Sequence, residues 1–280
     1  MRLYISSLVS VLLLLGFPFI MTEVVDSFSK CSQFFLNEQP PVIPGMLENS
    51  VSKKTNYTLI CQKYEKVYTF ATLYDTANRI PVFSAYKFTG NKSGRPETPW
   101  KIERQLEPSG ADMKVPFVKQ ASDSDYTNIK HTGLNRGHLF PNCHAADDLT
   151  AKSTFTLTNV VPQKQSFNSG SWSRMEDTVK RFMNDYCRDK TENNKTSAYV
   201  LTGAVPGNNT LKKRVNIPSH MWTVVCCYHK TNKTFISKAH WAKNEDDVKH
   251  VTITKEITLD DLKKNLNSTW PNITLFNSCV

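Results

Sequence analysis

Two histidines, an arginine and two asparagines crowd one stretch of the chain, His131-Thr-Gly-Leu-Asn-Arg-Gly-His-Leu-Phe-Pro-Asn142. An imidazole titrates near neutrality, at about 6.5 when unperturbed, so His138 could take a proton from water. Arg136, two residues before it, carries the planar fork of donors that suits a phosphate oxygen pair. Gly137 lies between them, and a glycine there allows backbone and substrate to come close. Taken alone, a histidine is more often a packing or surface residue than a base. His131, His138 and His144 beside Cys143 also raise zinc, but the spacing is not that of a closed structural site, and Cys143 is expected to have a disulfide partner.

A second stretch adds Thr158-Asn-Val-Val-Pro-Gln163, Asn168-Ser-Gly-Ser-Trp172 and Arg174-Met-Glu176. In isolation Glu176 and Arg174 read as the solvated face of a helix, Asn168 as its N-cap, Trp172 as its core anchor and Asn159 as a turn residue. The conjunction with His138 shifts the reading. The four pieces in this order resemble the signature of the DNA/RNA non-specific endonucleases, whose catalytic core is a ββα-metal finger. The segments Ile80–Tyr86, Thr202–Pro206 and Ile217–Trp222 are similar to framework segments of that family. Over its mature length the chain is similar to the endonuclease domain-containing 1 proteins.

The resemblance implies an enzyme that hydrolyses phosphodiester bonds of DNA and RNA without marked sequence preference, leaving a 5′-phosphate and a 3′-hydroxyl. It implies His138 as general base and Asn168 as the single protein ligand of a Mg²⁺-type ion, with Mn²⁺ or Ca²⁺ as substitutes. A hard cation accepts neutral oxygen ligands and keeps several waters, so one amide ligand is chemically reasonable. Glu176 would hydrogen-bond metal-bound waters, Arg136 and Arg174 would meet substrate phosphate, and Asn159 would support the site. The family's motif usually begins with aspartate, where this chain has Asn135. An amide still accepts a hydrogen bond and positions a water, but supplies no negative field for the cation or the histidine. The alternative is therefore a catalytically weak module that binds extracellular nucleic acid or another polyanion. A third class is a glycan-binding or receptor-like ectodomain. Neither Arg95 nor Arg104 aligns with the family's upstream phosphate-binding arginine, which stays unassigned.

Elements must hold these residues. Lys66 to Tyr74 and Ile80 to Phe88 read as a hairpin turning at Asp75 to Asn78. Gly94 to Asp125 is polar and aperiodic, a long surface connection expected near the active site. Phe155 to Val161 reads as a strand ending at Pro162. Trp172, Met175, Val179, Phe182 and Tyr186 recur at helical spacing and predict an amphipathic helix from Ser169 to Tyr186. Ser197 to Gly203, Trp222 to Tyr228, Phe235 to Ala242 and Val251 to Thr254 read as strands, followed by a helix capped near Thr258 or Asp260. The expected fold is α+β, one domain with a mixed or antiparallel sheet core and flanking helices.

Composition sets the surroundings. Arg2 followed by the apolar run Leu8 to Ile20 reads as an export signal over residues 1–22, leaving one domain over 23–280. Seven Asn-x-Ser/Thr acceptors (Asn56, Asn91, Asn194, Asn208, Asn232, Asn267 and Asn272) agree with a secreted, N-glycosylated protein. No stable membrane association is expected. The seven cysteines are an odd number, so at least one thiol is free or paired to another chain; Cys31 with Cys61 is one pair close in the chain. A net charge of +10 favours polyanions, hence contact with DNA and RNA through the phosphate backbone. Oligomeric state is not legible.

Overall fold

The computed structural model describes residues 23–48, 51–52, 56–108, 114–192, 195–248 and 254–279. The expected signal, the acceptor Asn194 and all but Thr254 of the strand expected at Val251 to Thr254 lie outside these residues.

Four strands open the main sheet: β1 (Glu23–Val25), β2 (Tyr57–Tyr64), β3 (Val67–Asp75) and β4 (Ile80–Phe88). The β3–β4 hairpin forms as its pattern predicts. Its turn is fastened by Asp75, whose Oδ1 accepts the amides of Ala77 (2.9 Å) and Asn78 (3.0 Å), an aspartate bonding its own turn. Two strands then leave the sheet as a separate ribbon, β5 (Leu134–His138) and β6 (Val160–Lys164). The main sheet resumes with β7 (Ala198–Val205), β8 (His220–His229), β9 (Phe235–Lys243) and β10 (Lys255–Ile257). Its order is β1-β2-β3-β4-β7-β8-β9-β10, every pairing is antiparallel, and Cys187–Arg188 adds to one end of β8. The fold is α+β. Gly203 faces Trp222 across the β7–β8 ladder, and a Cβ there would stand 2.3 Å from the indole, so two of the framework segments are matched by shape.

Side chains alternate across a strand, so the sheet separates two apolar layers. One layer takes Phe70, Tyr86, Phe88, Val200 and Val225 and packs them against the β5–β6 ribbon and Met175, Val179 and Met183 of the long helix. The other takes Leu73, Phe83, Leu201 and Val224 and packs them against Phe28, Phe35 and Leu259, Leu262 and Leu266. Those three leucines belong to a C-terminal helix, Leu259–Asn267, whose N-cap is Thr258, accepting the amide of Asp261 at 3.1 Å. The same alternation sends the adjacent Cys226 and Cys227 to opposite layers. Cys226 bonds Cys279 behind the sheet, Cys227 bonds Cys187 at the end of the long helix, and Cys31 bonds Cys61. Cys143 is the free thiol, contrary to the disulfide expected for it.

The two site-bearing elements differ from the sequence expectation in their ends. Leu157–Asn159 is a 3₁₀ turn, and the strand after it runs through Pro162 to Lys164 instead of stopping at the proline. A two-stranded ribbon leaves one side of each strand unpaired, and the amide and carbonyl of a residue point to the same side. The Pro162 carbonyl accepts Asn244 Nδ2 at 3.0 Å, off the ribbon, so its missing N–H costs no ladder bond. The helix starts earlier than Ser169. A short α turn, Gln165–Phe167, passes through a π turn, Asn168–Trp172, into Ser173–Tyr186. Among the described residues no helix is long and apolar enough to cross a membrane.

Candidate active site

β5 and β6 pair in antiparallel register, with Asn135 opposite Gln163 and His138 opposite Val160, and β6 leads directly into the long helix. This ββα unit places residues that are distant in sequence on the walls of one open cleft of about 1380 Å³. His138, Asn135 and Arg136 from β5, Asn168 from the π turn and Glu176 from the helix all line it, with Arg95, Trp100 and Cys143.

Gly137 has a different reason from the one expected. A Cβ there would lie 1.9 Å from Oε1 of Gln163, so the glycine makes room for a buried glutamine side chain and not for substrate. Asn159 faces away from the cleft and is wholly buried. Its Oδ1 accepts Ser84 Oγ (2.9 Å) and the Phe140 amide (3.0 Å), while Nδ2 donates to the carbonyls of Phe140 (3.1 Å) and Thr154 (3.0 Å). It thus uses the hydrogen-bonding capacity of both amide ends to lock the loop that follows His138 against the sheet.

His138 is wedged between aromatic rings, 5.3 Å from Trp100 and 5.0 Å from Phe155 by ring centroids. Its Nε2 is buried without a hydrogen-bond partner among the described residues. Burial, assisted by the positive charge of Arg95, pushes its pKa down to about 3, well below the near-neutral value expected of it. The ring is therefore neutral throughout the neutral pH range, with one ring nitrogen carrying a proton and the other able to accept one. Arg95 itself is exposed, with its guanidinium 4.8 Å from the centre of the Phe155 ring. It came from the aperiodic connection, where no pattern signals which residues return to the cleft.

Asn168 donates through Nδ2 to Oδ1 of Asn135 at 2.7 Å, which leaves the carbonyl oxygen of Asn168 free of that bond. Asn135, standing where the family carries aspartate, still orients the second amide by accepting this hydrogen bond. Glu176 is half-buried, and that burial pushes its carboxyl up to about 8. Behind it, His144 bonds the Glu176 carbonyl through Nε2 (2.9 Å) and the Tyr86 hydroxyl through Nδ1 (2.8 Å). A carbonyl only accepts, so Nε2 carries the proton and Nδ1 accepts from Tyr86. Burial lowers His144 to about 4, keeping it neutral.

Arg136 lies between the rings of Trp100 and Tyr126, at 5.0 and 5.1 Å, and pairs with Asp123 at 2.6 Å. It reaches the cleft, but a phosphate would have to displace an exposed carboxylate. Arg174 is not brought there. It lies two residues before Glu176, about 200° around an α-helix, and so projects to the opposite face. Its side chain is 69% exposed and stands 3.5 Å from Asp247.

A hard, hydrated cation fits this donor set. The cleft offers one neutral amide oxygen beside the carboxyl group of Glu176, which a cation would help to ionise, and among the described residues no group of three or more His, Cys, Asp and Glu is placed to enclose a metal. His131 lines the cleft, while His144 is committed to Tyr86 and Glu176, so the histidines do not assemble as a zinc site.

The family model of the DNA/RNA non-specific endonucleases matches residues 48–268, which contain every one of these side chains. The chain belongs to that endonuclease family. Among its relatives, the human Endonuclease domain-containing 1 protein is 30% identical over 260 residues, 87% of this chain and 47% of the relative. The mitochondrial Nuclease EXOG of Xenopus laevis is 27% identical over 69% of this chain and 52% of its own length. The Nuclease of Serratia marcescens is 30% identical over 45% of the chain and 44% of itself. This member of the endonuclease family thus spans about half the length of the relatives it matches. Its fold is that of the nuclease in the crystal structure of the EndoG/EndoGI complex, with a TM-score of 0.51 at 19% identity, over 72% of this chain and 82% of that one.

Proposed function

We propose that this protein is a secreted, N-glycosylated, metal-dependent endonuclease that cuts DNA and RNA without marked sequence preference. The observation that carries the reading is the Asn168–Asn135 amide pair lining the same cleft as a neutral His138 whose Nε2 has no hydrogen-bond partner among the described residues. Water attacks phosphorus, its proton passes to the free ring nitrogen of His138, and the P–O3′ bond breaks to leave a 5′-phosphate and, after protonation from solvent, a 3′-hydroxyl. Asn168 would hold a Mg²⁺-type ion through its amide oxygen, with Glu176 accepting hydrogen bonds from the ion's waters. Such an ion, when bound, supplies Lewis acidity at the scissile phosphate. A substrate phosphate beside Arg95 would offset the positive charge that depresses His138 and so raise its proton affinity as the strand binds. Arg95 is the candidate phosphate contact that the motifs left unassigned, and Arg136 braces the cleft wall through Trp100 and Tyr126.

Backbone contacts of this kind position a strand without reading bases, which accounts for cutting without sequence preference. The six described glycosylation acceptors are all exposed, which supports the secreted reading. Asn135 in place of the family aspartate favours a second reading, a weak nuclease that chiefly binds polyanions. Plasmid and RNA incubated with the purified chain, in Mg²⁺ or in EDTA and with His138→Ala, separate the two. Cutting that needs both Mg²⁺ and His138 supports the enzyme, and retention of uncut nucleic acid with no cleavage supports the binder.

A further inference from the structure

The π turn that carries Asn168 is held open from outside the helix. Ser171, its fourth residue, donates its backbone amide to Oδ2 of Asp247 at 2.7 Å and its hydroxyl to Oδ1 at 2.6 Å. A carboxylate from a remote segment therefore satisfies an amide inside the turn where the helix changes its pitch. Gly170, beside it, has φ −109° and ψ −110°, and a Cβ there would lie 2.3 Å from Asp247 Oδ2. The glycine of the Asn-x-Gly-x-Trp motif is thus the opening through which Asp247 enters. The same segment grips the approach to the turn: Asn244 Oδ1 accepts the Lys164 amide at 2.9 Å, and Asp246 accepts Ser166 Oγ at 2.7 Å. Asp247 is mostly shielded, at 16% side-chain exposure.

The turn matters because of angle. Eight residues of unbroken α-helix would leave Asn168 and Glu176 about 80° apart around the axis, at 3.6 residues per turn. A π turn absorbs one extra residue, so the pair is offset as though seven apart, about 20°. Both side chains then face one cleft.

We infer that Asp247 is a positioning residue for the nuclease site: by bonding Ser171 it holds the π turn that puts Asn168 on the same helix face as Glu176. Arg174, which faces Asp247 and not the cleft, belongs to this clamp. The inference rests on the proposed metal-binding role of Asn168. Its test is calorimetric titration of Mg²⁺ into the full chain without nucleic acid, for wild type, Asp247→Ala and Asp247→Asn. Hydrogen exchange is followed across residues 165–176 in the same proteins. Asp247→Ala is expected to weaken Mg²⁺ binding at least tenfold, to raise the Mg²⁺ needed for half-maximal plasmid nicking by the same factor, and to speed exchange in that segment. Asp247→Asn, which keeps one acceptor oxygen, is expected to fall between, and it carries the test if the alanine variant does not fold. Wild-type Mg²⁺ affinity in both variants overturns the inference, even if the melting temperature falls. Failure of the nuclease reading looks different: wild type then neither binds Mg²⁺ nor nicks, and exchange alone decides, with faster exchange confined to 165–176 supporting the clamp and unchanged exchange overturning it.

Discussion

Behind the central sheet, the C-terminal helix and the segment around Phe28 and Phe35 are held by buried leucines and rings and by two disulfides, Cys31–Cys61 and Cys226–Cys279. In front of it, the ribbon and the long helix share an apolar layer of similar extent but hang their chemical groups on directional bonds. Asn159 fastens the loop after His138, Asn135 orients Asn168, His144 holds the Glu176 carbonyl and Asp247 holds the π turn. Apolar packing tolerates small shifts, whereas a hydrogen bond weakens steeply with distance and angle. Both layers and all three disulfides hold the fold together, whereas the polar hubs belong to the front layer and fix where the side chains of the candidate site lie.

The widest separation between the faces is expected from His138→Ala. Nicking should fall by about 10²- to 10⁴-fold, the usual contribution of a general base, with little change in melting temperature or in DNA retention in EDTA. Leu262→Ala, a fully buried leucine behind the sheet, should do the reverse. It is expected to cost roughly 2–5 kcal/mol of unfolding free energy in urea titrations, with specific activity of the folded fraction unchanged. Asn135→Asp should raise Mg²⁺ affinity by up to about tenfold, by adding a negative charge beside the amide while keeping its acceptor. No gain on that substitution would mean the lost charge is already supplied elsewhere in the cleft.

A smaller effect concerns pH in the absence of metal. Glu176, raised to about 8 in the folded chain, binds its proton more tightly folded than unfolded, so its contribution is present at low pH and lost as pH rises through 8. His138, His144 and His240, lowered to about 3, 4 and 4, contribute the opposite slope, stability gained as pH rises towards 6.5. Between pH 6.5 and 8 the Glu176 slope stands clear of theirs. The melting temperature in EDTA should fall by a few degrees over that window, and Glu176→Gln should flatten the fall. A fall that persists in Glu176→Gln would assign it to another group.

How much was legible beforehand follows the same division. The β3–β4 hairpin and the helix ending at Tyr186 are written in period-2 and period-3.6 patterns, because burial against a sheet selects residues at those spacings. The motif residues His138, Asn168 and Glu176 stand out only through the order and conjunction of their motifs, since each alone has an ordinary structural reading. The strand Tyr57–Tyr64 passed unnoticed, its apolar positions forming a run instead of an alternation because both of its faces are covered. Of the hubs, Asn135 and Asn159 were singled out through the motifs, whereas the holding roles of His144 and Asp247 were not legible. Asp247 acts on Ser171 from 76 positions away, and nothing in its local sequence distinguishes it from a solvated loop aspartate. Arg174 was placed at the substrate because motif order carries no helix angle, and Arg95 was weighed but left unassigned because an irregular connection has no period to read.

The proposed metal chemistry depends most directly on the amide oxygen of Asn168. Mg²⁺ should be titrated calorimetrically into wild-type and Asn168→Ala protein, with plasmid nicking measured on the same samples. The expected result is one ion per chain in wild type, and loss of both that ion and the nicking in the variant. Mg²⁺ binding and nicking that survive unchanged in Asn168→Ala would contradict it.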